Sequence, residues 1–141
     1  MKTKLFFFTL LLTLFLAGCV KTVPFQPVEP GHDDVLVYVF RPESLLSRGT
    51  ILQLNINGEN KGNLLNNSYI PVTVKPGDIE IELRQPSYPR SRYDSMDLLN
   101  ARAGETYYIK ANPGVFGAFT LLELDRQQGR SEIGSTELYQ Q

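Results

Sequence analysis

The sequence holds a single cysteine, Cys19, which rules out an intramolecular disulfide and a cysteine-built metal cage. It also holds a single histidine, His32. A structural metal site usually wants four convergent ligands, often Cys or His. His32, beside Asp33 and Asp34, is therefore expected in a solvated turn, with no metal and no cofactor. Charge of neither sign dominates, with 14 Lys and Arg against 15 Asp and Glu. No basic block is present, and nucleic-acid binders leave a basic patch or stripe, so no nucleic-acid partner is expected. Long apolar runs are also missing. Leu5 to Leu16 is broken only by Thr9 and Thr13 and falls well short of the roughly 20 residues of a spanning helix.

That short run carries information of its own. Lys2 and Lys4 precede it, and Leu16-Ala17-Gly18-Cys19 closes it. A charged start, an apolar stretch and small residues form a secretory signal. The closing tetrapeptide resembles the lipobox of bacterial lipoproteins. The resemblance implies cleavage between Gly18 and Cys19 and lipidation of Cys19. One acyl chain binds a membrane only marginally, at about 0.8 kcal/mol per buried CH₂. Several chains on one cysteine, as in that class, make a lasting anchor. Val20, rather than aspartate, follows the cysteine and fits delivery to the periplasmic face of the outer membrane. Without residues 1–18, which carry Lys2 and Lys4 and no acid, the formal charge moves from −1 to −3.

Residues 19–33 contain Pro24, Pro27 and Pro30, then Gly31. Proline removes amide donors and favours extended backbone. At ~3.1 Å per residue, such a tether reaches roughly 40 Å. Docking of Val23, Phe25 and Val28 on the domain is the alternative. Residues 34–141 are long enough for one domain with one core.

Within this domain, strand signals follow one another. Val35 to Phe40 is apolar on both faces, which marks a central strand covered twice. Leu52, Leu54 and Ile56 alternate, and Asn57-Gly58 is a hairpin signal leading into Glu59–Leu65. Ser68–Lys75 alternates but holds Pro71, which places it at an edge or bulge. Lys75-Pro76-Gly77-Asp78 is a turn, and Ile79–Arg84 pairs a buried Ile/Ile/Leu face with a wet one. Residues 85–93 form a polar, aromatic, basic loop. Met96–Ala101, Thr106–Ala111 and Phe119–Leu124 complete the strands, with Asn112-Pro113-Gly114 as a turn. Ser131–Tyr139 reads as a short helix, with an edge strand as the alternative. About seven short strands with almost no helical periodicity give an all-β fold, an antiparallel β-sandwich, with an open barrel as the runner-up.

Several pieces occur in a recognisable order: Val37-Tyr38-Val39-Phe40-Arg41-Pro42, Asn57-Gly58 with Gly62, Ser68-Tyr69, Lys75-Pro76-Gly77, and Gly104-Glu105-Thr106-Tyr107-Tyr108-Ile109. This set resembles an uncharacterised family of bacterial secreted proteins and lipoproteins, a domain of unknown function, over most of 34–125. The turn before Ile79-Glu80-Ile81 is also similar to small PEGA-type sandwiches of surface proteins. The resemblance implies an extracytoplasmic β-sandwich and carries no catalytic residues across. Phe40 departs from the family's usual tyrosine, and Asp78 stands where a histidine is often nearby.

No catalytic constellation is legible. Hydrolysis by a Ser-His-Asp or Cys-His set needs a base on a packed scaffold, whereas His32 lies at the tether and Cys19 is read as lipidated. Glu80 and Glu82 share one strand face about 7 Å apart, a pattern that an ordinary wet face also gives. Tyr88, Arg90, Arg92 and Tyr93 are the candidate binding loop, since Arg and Tyr dominate binding hot spots. Tyr107-Tyr108 is expected to place one ring in the core and one at the surface. The sequence thus predicts a non-enzymatic, lipid-anchored envelope module. Its expected partners are the membrane, through the lipid, and an envelope protein or peptidoglycan. A glycan binder is the alternative, followed by a carboxylate-dependent hydrolase.

Overall fold

The computed structural model describes residues 22–86, 92–114 and 117–139. Ten strands and one helix run in the order β1 (Thr22–Pro24), β2 (Val35–Arg41), β3 (Leu52–Ile56), β4 (Glu59–Leu64), β5 (Ser68–Val74), β6 (Gly77–Gln85), β7 (Arg92–Ala101), β8 (Thr106–Pro113), β9 (Phe119–Leu124), α1 (Arg126–Ile133) and β10 (Glu137–Tyr139). One sheet has the order β1-β10-β5-β2-β8-β9, the other β4-β3-β6-β7. They pack as an all-β sandwich.

Two pairings correct the purely antiparallel expectation. β2 pairs with β8 in parallel, as β10 does with β5. A parallel neighbour needs a long crossover. The whole second sheet, β3, β4, β6 and β7, together with β5, lies between β2 and β8 in the chain and supplies it. Ten strands replace the expected seven partly because β1 and β10, three residues each, form at the two ends of the described residues.

β2 is fourth of six in its sheet, and all seven of its residues are buried. Alternation sends its side chains to both faces. Val35, Val37 and Val39 face the other sheet and join Leu52, Leu54, Ile56, Ile79, Ile81, Leu83 and Ile109 in an aliphatic inner core. Leu36, Tyr38 and Phe40 face outward and join Tyr69, Tyr108, Leu124 and Ile133 in a second cluster.

The outer cluster is covered by the two ends of the described chain. Phe25 lies edge-on to Tyr38 and Tyr69, with ring centroids 5.3 Å from each. The Val28 amide donates to the Tyr38 hydroxyl at 3.0 Å, and β1 pairs with β10. Residues 22–28, expected as tether, are therefore docked on the sandwich. A free stalk would leave Tyr38 and Tyr69 facing water. α1 covers Tyr108 through Gly129 and Ile133, four residues apart and so on one helix face. Asp125 caps the helix by accepting from the Gln128 amide at 2.9 Å. Its residue after Ile133 and Gly134 leads to Thr136, whose hydroxyl donates to the Ile133 carbonyl at 2.7 Å. Residues 131–139 are therefore the end of a helix followed by a strand, but β10 lies between β1 and β5 rather than at an edge.

Candidate functional site

The registers place four connections at one end of the sandwich: 42–51, 65–67, 86–91 and 114–118. The opposite end has the tighter joints at 57–58, 75–76 and 102–105. Longer connections on a rigid scaffold are where recognition surfaces are built.

Buried polar side chains hold the bases of these connections. Arg41 ends β2 in phase with Val35, Val37 and Val39, so it points into the sandwich and is fully buried. Its Nη1 donates to the Thr50 carbonyl at 2.7 Å and its Nη2 to the Ser47 carbonyl at 2.5 Å. The guanidinium carbon lies 4.8 Å from the Phe119 ring centroid. Among the described residues no carboxylate pairs with Arg41, and its Nε has no hydrogen-bond partner. Burial pushes its pKa below the ordinary guanidinium value. Arginine nevertheless stays charged in proteins. The cost of burying that charge is offset by two carbonyl dipoles and an aromatic face.

Ser68 plays the matching part for 65–67. Its hydroxyl accepts from the Leu65 amide at 2.8 Å and donates to the Leu65 carbonyl at 2.7 Å. Gln85 does so for 114–118, donating to the Gly117 carbonyl at 3.0 Å while its Oε1 stays unpartnered. The Ser44 amide adds a bond to Asn66 Oδ1 at 3.1 Å, joining 42–51 to 65–67. Held this way, 42–51 presents Leu45 and Leu46 to solvent at 84% and 67% exposure.

Of the residues singled out from sequence, Gly18, Cys19, Tyr88 and Arg90 lie outside the described residues. Arg92 and Tyr93 are not loop residues. They begin β7, opposite Gln85 and Arg84. The expected loop 85–93 thus loses Gln85, Arg92 and Tyr93 to the β6–β7 ladder, which extends further than its apolar alternation. His32 is exposed in a turn. Glu80 is exposed, while Glu82 accepts from Arg84 Nε at 2.9 Å and Asn55 Nδ2 at 3.2 Å. The Arg84 bond, with that from Asn55, holds the Glu82 carboxyl below its ordinary 4.5. That is the wrong direction for a general acid at neutral pH. Tyr108 is buried in the outer cluster, whereas Tyr107 is half-buried against the inner core rather than fully at the surface.

Sequence reading gave Arg41 no role beyond its place in the Val37–Pro42 motif. Its signal was parity, since the 35-37-39 alternation continues onto it. A groove of about 370 Å³ at the opposite end contains Asp34, Glu59, Lys61 and Lys75. Its charges are already matched, Lys75 to Asp34 at 2.7 Å and Lys61 to Glu59 at 2.6 Å. Among the described residues no group of three His, Cys, Asp or Glu side chains is placed to hold a metal ion.

Fold and loop end together define a small β-sandwich module with the 42–51, 86–91 and 114–118 connections joining strand ends on one side. Residues 31–115 match the family described as "Protein of unknown function (DUF2846)", and the chain belongs to that family. No curated protein matches the chain.

Proposed function

We propose that this is a lipid-anchored protein of the bacterial cell envelope that works by binding rather than by catalysis. The observation that carries the reading is Leu16-Ala17-Gly18-Cys19 behind a short apolar run with Lys2 and Lys4 before it. The lipid holds the protein at the membrane, and Val20 favours the periplasmic face of the outer membrane. The sandwich then offers its loop end, including 42–51 and 86–91, to an envelope protein. Two adjacent exposed leucines on a pinned loop support a protein partner, since rigid apolar anchors bind at low entropic cost. The likeness of the Pro76-Gly77 turn to PEGA-type surface modules agrees with this role.

The test is Cys19→Ala. The variant is expected to lose acyl label and to stay uncleaved by the lipoprotein pathway. Acyl label retained on the variant contradicts the reading. A second reading, binding to peptidoglycan, rests on Tyr88, Arg90, Arg92 and Tyr93. Co-sedimentation with purified sacculi tests it, and equal sedimentation of wild type and the Arg90→Ala/Arg92→Ala variant removes this loop from the case.

A further inference from the structure

The docked N-terminal arm changes what the anchor can do. Thr22 is fixed in β1 by pairing with Tyr139, and Phe25 is fixed between Tyr38 and Tyr69. Only three peptide steps separate Cys19 from Thr22. A chain spans at most ~3.3–3.6 Å per residue, so the Cys19 backbone lies within about 11 Å of Thr22. A tether free to residue 33 would instead reach roughly 40 Å.

We infer that the sandwich lies directly against the lipid surface along its β1 edge, with β9 and β7 on the side away from it. The inference rests on the proposed acylation of Cys19. The occupant of the β1 side is the bilayer surface itself, because the leash is too short to interpose anything of domain size. β1 is the first strand of its sheet and β9 the sixth. At about 4.8 Å per strand, β9 stands about 24 Å across the sheet from β1. β7 shares the β9 side, where the Leu121 amide donates to Asp94 Oδ2 at 2.6 Å. The start of β7 at Arg92 is thereby presented away from the membrane, where a partner can reach it.

The full mature lipoprotein in phosphatidylethanolamine/phosphatidylglycerol vesicles tests this. A fluorophore is placed at Gln26→Cys, beside β1, or at Glu123→Cys on β9, both exposed positions. Lipids with nitroxide headgroups quench only at short range. Quenching is expected to be severalfold greater at position 26 than at 123. A flexible Gly/Ser insert between Lys21 and Thr22 is expected to bring both to the same low value. Equal quenching at the two positions without the insert overturns the orientation while leaving the anchor intact. Intact mass of the mature N-terminus reads the anchor separately, and an unacylated Cys19 overturns both.

Discussion

The two apolar clusters of this molecule are built by different means. The inner core is aliphatic and comes from strands whose alternation is visible residue by residue. The outer cluster is aromatic, and its cover comes from residues 22–28 and 126–138, which lie outside the family match at 31–115. Tyr38 stacks on Tyr108 at 5.5 Å and meets Phe25 and Tyr69 edge-on. The aromatic face belongs to the matched stretch, but the segments that keep it dry do not. The comparison teaches that a sheet face can be specified long before and long after the residues that cover it.

The largest effect is expected from the inner core. Leu54→Ala should cost about 2–5 kcal/mol, read as a lower urea midpoint for the whole domain. An unchanged midpoint would mean the inner core is not the main source of stability. Gly129→Ala comes next. A Cβ there would sit 2.3 Å from Tyr108 Cγ. Overpacking of this kind costs about 1–3 kcal/mol. Hydrogen exchange should show lost protection at 126–139 and 22–24, with 52–56 and 79–83 retained. Uniform loss would show that the two clusters open as one unit rather than separately.

Arg41→Lys sharpens the comparison at the loop end, where inner-face parity supplies a charge. Lysine cannot fork between the Ser47 and Thr50 carbonyls, so about 1–3 kcal/mol should be lost. Proteolysis within 42–51 should quicken; unaltered cleavage would show that the arginine does not hold this loop.

The pH dependence of stability gives smaller effects. Burial pushes the Tyr69 and Tyr108 hydroxyls above their ordinary 10.0. The unfolded chain therefore gives up these protons first, and the stability they contribute, complete below pH 10, falls as pH rises beyond it. Tyr108→Phe should flatten that alkaline decline, and an unaltered slope would assign it elsewhere. The smallest effect concerns Glu132, which Lys110 holds below 4.5 through a 2.6 Å contact. Its contribution is present above pH 4.5 and disappears as pH falls through the folded value. Both side chains are partly exposed, so Glu132→Gln should cost about 0.5 kcal/mol near neutrality. The same loss measured well below pH 4 would point to packing rather than charge.

The inner layer was legible because burial on one sheet face writes a period of two. Phe119–Leu124 occupies the expected residues, and Ile79, Ile81 and Leu83 are buried as their alternation requires. Asn57 and Gly58, with φ of 51° and 77°, form the expected hairpin turn. Pro71 sits exposed beyond the reach of β10, at a local edge. The outer cover was harder to see. Arg126 to Ile133 contains one large apolar residue, Ile133, and gains its hold from a glycine that lets the helix approach a tyrosine. Such a contact has no hydrophobic stripe to announce it. The arm was hidden by its prolines, which suit a docked extended segment as well as a free one. At the loop end, Arg41 and Gln85 are polar residues in buried phase, so only the parity of their strands marks them.

The β1–β10 pairing sets an order of events in time. Among the described residues β1 has β10 as its only strand neighbour, and β10 comprises residues 137–139. During synthesis, residues 22–24 have no described strand to join until residues 137–139 have been made. Seating of β1 therefore waits for residues 137–139, which makes it a late step of folding.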